Sequence, residues 1–328
     1  MDILLQQIIN GLTTGSVYAV VALGYTMVYG VIQLINFAHG EVVMIGAMVA
    51  FTIITALAGT AMPPTFIVLA GVLAAIPVCM GIGYSLERIA YRPLRHAPRL
   101  APLITAIGMS IILQHIALLI WGRNPLAFPQ IIDNPSFNIG GAAISGVQIA
   151  IIMLSLLMMG GLSWFVYRTR FGIAIRATAE NVHVAGLMGI NADRVIAATF
   201  VIGAGLGAVA GVMFGTYYGI AHYTMGFTLG LKAFSAAVLG GIGNLPGAMV
   251  GGILLGLVEA LGSGYIGDLT NLCHWPGATS WMGERCANGA DFVVFGSNYQ
   301  DVFAFLMLIL VLVFRPSGLL GERVSERA

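Results

Sequence analysis

Charge is what this sequence has least of. Only 8% of its residues are Asp, Glu, Lys or Arg, while 59% are hydrophobic; soluble chains carry roughly 25% charged residues. That deficit excludes a water-soluble fold. A formal net charge of +1 excludes an electrostatic hold on nucleic acid or on any strongly acidic partner. Lysine is nearly missing, with Lys232 the only one, and there are three cysteines. Cys79 lies in an apolar stretch and is read as a small packed hydrophobe. Cys273 and Cys286 share the one long polar loop near the end, where a disulfide requires both an oxidising compartment and suitable geometry, so the pairing stays open. Phosphate-binding and nucleophile motifs are missing too. Residues 226–232 run Gly-Phe-Thr-Leu-Gly-Leu-Lys and are followed by Ala, without the Gly-Lys-Ser/Thr of a phosphate loop. No His-Glu-x-x-His and no Gly-x-Ser-x-Gly occurs, and the six histidines are scattered, so neither enzyme chemistry nor a metal or other cofactor is expected. The opening Met1-Asp2-Ile3 has no basic region before a short apolar core, so the first helix itself is expected to serve as the insertion signal.

What the sequence does have is spanning length. Apolar runs cover 5–35, 41–58, 65–87, 101–121, 147–167, 195–218, 229–261 and 299–314, and a bilayer crossing needs about 20 such residues. Arginines decide orientation, because cytoplasmic loops collect them. Arg88, Arg92, Arg95 and Arg99 fill one loop; Arg168, Arg170, Arg176 and Arg194 fill another; Arg315, Arg323 and Arg327 mark the C-terminal end. The loops at 59–64, 122–146 and 262–298 hold only Arg123 and Arg285 and belong outside. The expectation is one all-α, polytopic membrane domain over 1–328, with its N-terminus outside, its C-terminus in the cytoplasm and about eight or nine crossings.

Two breaks interrupt the apolar pattern. Asn36-Phe37-Ala38-His39-Gly40-Glu41 places an amide, an imidazole and a carboxylate between two long apolar stretches. Polar groups there are costly and face a cavity or a partner. His39 and Glu41 either line a substrate path or form a hydrogen-bonded turn, and Asn36 is a candidate cap for the helix that follows. Gly240-Gly241-Ile242-Gly243-Asn244-Leu245-Pro246-Gly247 breaks the run 229–261 into a helical hairpin or a re-entrant segment plus a full helix. Lys232 is expected either to snorkel to water near the outer face or to attract a substrate carboxylate. Asn244 either satisfies backbone in the break or contacts cargo. Glu87 and Glu259, at or near the ends of apolar runs, are read as interfacial. Gly203, Gly207, Gly211 and Gly215 recur on one helical face and are read as a close-packing surface.

The loop 168–194 is too long for a plain connector. Ile175, Ala179, Val182 and Met188 sketch an apolar stripe, with Arg176, Glu180, Asn181 and His183 on the polar side. Gly189 can close a helix in the left-handed conformation; Asn191 can cap the next helix, with Asp193 in its first turn. A short amphipathic cytoplasmic helix is expected. It either rests on lipid headgroups or docks a cytoplasmic partner through its polar face, Glu180 in particular.

Leu34-Ile35-Asn36-Phe37-Ala38-His39-Gly40-Glu41, Ala90-Tyr91-Arg92-Pro93-Leu94-Arg95, Ala106-Ile107-Gly108-Met109-Ser110, Gly189-Ile190-Asn191-Ala192-Asp193-Arg194, the run 232–243 and Pro316-Ser317-Gly318-Leu319-Leu320-Gly321 together resemble the branched-chain amino-acid ABC importer permeases, in particular their shorter permease subunit. The resemblance covers nearly the whole chain. It implies a bacterial inner-membrane complex with a second permease subunit, two cytoplasmic ABC ATPase subunits and a periplasmic amino-acid-binding protein that delivers leucine, isoleucine or valine. It also implies that 168–194 couples to an ATPase. The family commonly joins its last two helices by a short connection, and here 262–298 is long. Permeases for urea and short amides share much of this pattern. An ion-coupled transporter acting alone is the other class, and would depend on Glu41, His39 and Glu259.

Overall fold

A computed structural model describes residues 2–95, 97–98, 100–132, 134–270 and 299–321. The helices are α1 (Asp2–Ile32), α2 (His39–Leu57), α3 (Pro64–Ser85), α4 (Leu100–Trp121), α5 (Gly146–Arg168), α6 (Arg170–Glu180), α7 (Val182–Leu187), α8 (Ala192–Tyr218), α9 (Met225–Gly240), α10 (Leu245–Leu269) and α11 (Gln300–Phe314). A π-helical turn, Leu86–Tyr91, extends α3. Among the described residues seven helices are long and apolar enough to cross a membrane, and two, α9 and α11, are apolar but shorter. At 1.5 Å per residue, α9 with 16 residues and α11 with 15 reach about 24 Å and about 22 Å, less than the roughly 30 Å hydrocarbon core. The fold is therefore the expected all-α polytopic one. The postulated broken hairpin is α9 and α10, separated at 241–244.

Burial sorts the helices into an inner and an outer set. α1 and α8 are mostly enclosed, whereas only about a quarter of the apolar windows of α3, α4 and α5 is buried. Those outer helices present Phe66, Leu73, Ile104, Leu119, Met153 and Leu157 at the surface, as a lipid-facing layer requires when every backbone bond is already made within the helix. Two short antiparallel pairings decorate one end: β2 (Ser136–Ile139) with β3 (Ala142–Ser145), and β1 (Leu126–Ala127) with β4 (Ile220–Ala221). The other end carries the arginine-rich loops.

Small residues set the inner packing. A Cβ added at Gly11 would lie 2.8 Å from Leu257 Cα, and one at Gly15 would lie 2.8 Å from Ile253 Cα and 3.0 Å from Gly252 O, so α1 and α10 meet backbone to backbone. Gly203 and Gly207 of α8 pack on Gly24, Val43 and His39; Gly211 meets Val43, and Gly215 lies on the Phe128 ring. Without a hydrophobic driving force between helices in lipid, such contacts provide the dispersion that holds them. The loop holding Cys273 and Cys286, most of 262–298, lies outside the described residues.

Candidate functional site

The first break brings together the residues it was expected to, but uses each differently. Gln33 ends α1 with φ of 52°, the only positive φ of a non-glycine residue among those described. Asn36, 3% exposed, does not cap α2: the cap position is Ala38, with no side-chain bond. Its Oδ1 instead accepts from the Ala38 amide at 3.1 Å and from the Tyr91 hydroxyl at 3.0 Å. The break is thereby tied to the π-helical turn after α3. His39 packs against Gly24 of α1, and its ring meets Tyr25 edge to face at 4.8 Å. Gly24 lies eight residues before α1 ends, so α2 starts about 12 Å in from that end. Glu41 is fully buried; its Oε1 accepts from Ser110 Oγ at 3.0 Å and Gln114 Nε2 at 2.7 Å, both from α4. The space near this break, between Tyr25, Tyr29, Phe234 and Ile242, amounts to about 10 Å³, room for roughly one water and none for a metabolite.

The second region is roomier and more highly charged. Lys232 does not snorkel to water: it is 7% exposed. Its Nζ donates to Glu259 Oε1 of α10 at 2.7 Å and lies 2.6 Å from Asp301 Oδ1 of α11. The Tyr18 hydroxyl of α1 donates to the same Glu259 oxygen at 3.3 Å and sits 3.4 Å from Lys232 Nζ. Glu259 is not interfacial either, being 4% exposed. The physical reason is that two carboxylates and a phenol from three other helices offer the ammonium enough partners to replace water. A cavity of about 160 Å³ adjoins this cluster, lined by Tyr18, Phe214, Tyr218, Thr228, Leu229, Lys232, Gln300 and Asp301.

Asn244 is committed to structure. Its Oδ1 accepts from the Gly247 amide at 3.2 Å, in the first turn of α10, and its Nδ2 donates to Leu320 O at 2.7 Å. The break it occupies packs on the segment after α11: Leu319 and Leu320 amides donate to Leu239 O and Gly240 O. Gly241, at φ of 107°, needs its missing Cβ because Gly321 and Ser317 crowd it. Asn244 therefore lies at the arginine-rich end, away from the cavity.

At that same end the loop 168–194 folds into two helices rather than one. α6 buries Gly172, Ile175 and Thr178. Asn181 then interrupts the chain, its Oδ1 accepting from the His183 and Val184 amides at 3.0 Å each and so capping α7. Asn181 is thus the cap of α7, and it remains exposed. The apolar stripe is divided between the two helices: Ile175 of α6 is buried, whereas Val182, Val184, Leu187 and Met188 are 46%, 52%, 76% and 79% exposed. Arg176 lies over the Tyr167 ring at 5.5 Å, Glu180 is exposed, and Gly189 takes φ of 85°. Asn191 caps α8 through the Arg194 amide at 3.1 Å. Asp193 does more than complement the helix dipole: it pairs with Arg92 and with Arg95, and Arg95 pairs with Glu87. Glu87, expected at the interface, is 1% exposed. This network joins the loop after α3 to the start of α8, directly beside α7.

Sequence reasoning missed Tyr18, Tyr91 and Asp301, whose roles arise from contacts across more than fifty residues. It also missed the α1–α10 contact, although Gly11 and Gly15, and Gly252 and Gly256, carry the same four-residue spacing that drew attention to α8.

The family described as "Branched-chain amino acid transport system / permease component" matches residues 7–312. The chain belongs to that family. Among relatives, it is 48% identical to the high-affinity branched-chain amino acid transport system permease protein BraD of Pseudomonas aeruginosa, over 98% of this chain and 97% of that one. It is 45% identical, with the same coverage, to the corresponding permease LivH of Escherichia coli K12. A probable branched-chain amino acid transport permease of Methanocaldococcus jannaschii is 26% identical over 92% of this chain and 87% of that one. No solved structure matches at a significant level. This permease is thus a polytopic membrane protein whose close relatives are branched-chain amino acid transport permeases.

Proposed function

We propose that this permease forms half of the membrane pore of an ATP-driven importer for leucine, isoleucine and valine. The observation that carries the reading is its 45–48% identity, over nearly full length, to permeases named for high-affinity branched-chain amino acid transport. A second permease subunit completes the pore, two cytoplasmic ABC ATPases supply the energy, and a periplasmic binding protein delivers cargo. The arginine-rich loops face the cytoplasm and the N-terminus faces the periplasm, following the basic-residue asymmetry.

In this reading an ATPase seats on α6 and α7. Four exposed apolar side chains on or next to a six-residue helix form a surface that a protein groove covers at a gain, about 25 cal/mol per Å² of apolar area. Arg176, Glu180 and Asn181 supply polar groups beside it, and Gly189 turns the chain toward α8. Movement there is transmitted to α8 and to the loop after α3 through the network of Asp193, Arg92, Arg95 and Glu87. His39, Glu41 and Asn36 shape the α1–α2 break along the pore; the four α8 glycines and surrounding lipid hold the helices in register.

The test is reconstitution with the partner permease, ATPases and binding protein in liposomes. Leucine uptake that requires ATP and binding protein is expected, and Leu187→Glu or Glu180→Arg should reduce ATPase recovery on the tagged permease. Uptake driven by an ion gradient with this chain alone would overturn the reading and turn attention to Glu41, His39 and Glu259.

A further inference from the structure

The Lys232 cluster has more acceptor than donor charge. One ammonium stands between two carboxylates, Glu259 at 2.7 Å and Asp301 at 2.6 Å, a formal balance of −1 when all three are ionised. Glu259 Oε2 is buried and has no hydrogen-bond partner among the described residues. A buried ion pair roughly breaks even against apolar packing, and a buried acceptor left unmatched costs stability. The arrangement is therefore a weak way to fasten four helices. It is a good way to present charges to a guest.

The adjoining cavity matches that use. Its volume is about 160 Å³, and a cavity of roughly 150 Å³ accepts a six-carbon ring. One part of its wall is Lys232 and Asp301, another Tyr18 and Tyr218, and Phe214 and Leu229 supply apolar surface. A branched-chain amino acid has the complementary pattern: a cation and an anion on one carbon, and a short branched hydrocarbon beyond. We propose that this cavity is a resting site for the cargo zwitterion within the permease, with Lys232 receiving its carboxylate and Asp301 its ammonium, while Glu259, outside the cavity lining, keeps its bond to Lys232. The inference rests on the importer reading and adds the place where cargo pauses. The Lys232–Asp301 contact is the form the site takes between guests: the arriving zwitterion exchanges that ion pair for two, Lys232 with its carboxylate and Asp301 with its ammonium. Asp301, the second residue of α11 and about 20 Å along it from Phe314, has a side chain 46% exposed, so the site opens at the end of the bundle away from the arginine-rich loops. Charge-assisted bonds of modest strength suit such a site, because cargo held tightly would not leave.

The experiment uses the reconstituted four-component complex, with leucine as probe, and reads leucine moved per ATP hydrolysed alongside recovery of ATPase on the permease. If the parent complex moves no leucine with ATP, the importer reading fails, whatever the cluster does. Given a working parent, Asp301→Asn is expected to lower leucine moved per ATP about tenfold, the scale of one charge-assisted hydrogen bond. The double variant Lys232→Met with Glu259→Leu removes the two mostly buried charges together and leaves only Asp301, whose side chain is 46% exposed and can turn to water, so it assembles. The resting-site inference expects its leucine transport to stay low. Parent-like coupling in Asp301→Asn, or transport restored in the double variant relative to Lys232→Met alone, would overturn the inference and leave the cluster a helix fastener.

Discussion

Replacing Gly15 by alanine tests whether the helix contact beneath the charged cluster sets its geometry. The new Cβ would lie 2.8 Å from Ile253 Cα and 2.8 Å from Ile253 O. Both are backbone atoms of α10, so no side chain can swing aside. Reaching an ordinary contact of about 3.4 Å requires the helices to part by roughly 0.6 Å. Overpacking of this kind costs about 1–3 kcal/mol, and alanine returns at most about 1 kcal/mol of helix propensity, so the net is a loss of up to about 2 kcal/mol. Tyr18 lies less than one turn further along α1, and its 3.3 Å bond to Glu259 would lengthen past hydrogen-bond range if the helices part. Thermal unfolding of the purified permease and leucine uptake by the reconstituted complex should therefore fall together. Gly160→Ala is the control, because nothing lies within 4 Å of a Cβ there. If Gly15→Ala unfolds no earlier than Gly160→Ala and imports leucine normally, the reasoning that close α1–α10 packing positions the cluster is refuted.

Glu87→Gln should cost the permease about 1–3 kcal/mol, the cost of weakening a buried charge-assisted bond, because Arg95 keeps Asp193 as a partner. Asp193→Asn should cost about 1 kcal/mol or less, since that side chain is 45% exposed; thermal midpoints in the reverse order would contradict the burial argument. Asn181→Ala should remove about 1 kcal/mol of capping from α7, seen as faster amide exchange over 182–187 than over α6; equal exchange would show the cap to be idle. Glu41→Leu leaves Ser110 and Gln114 without their shared acceptor and should destabilise by about 1–3 kcal/mol. Glu41→Gln keeps an acceptor oxygen and should cost less, and equal losses in unfolding experiments would show that the α4 bonds contribute nothing.

Spanning helices, their ends and the 241–244 break were legible in the sequence because each is a local property: apolar length, a Gly/Pro cluster, an arginine loop. The family resemblance was legible for the same reason, being spread over six separate motifs. The site was legible only in part. Asn36, His39 and Glu41 do sit together at a helix break, yet the cavity beside them is too small for cargo, and Asn36 serves Tyr91 rather than a cap. Lys232, read from position alone as either a snorkelling cation or a site for a substrate carboxylate, and Glu259, read as an interfacial acid, proved to be partners. Asn181 interrupted a helix that periodicity ran through, because its side chain satisfies two free amides at the start of α7.

By itself the sequence determined that this is a helical membrane permease, which end gathers arginine and where the helices break. These follow from the cost of bare backbone and charge in hydrocarbon, a cost each segment meets on its own. Only the tertiary structure decided which polar groups meet. Tyr18, Lys232, Glu259 and Asp301 come from four helices, and their pairing depends on helix rotation and on backbones brought close at glycines. Nothing in the local pattern of any one helix encodes that.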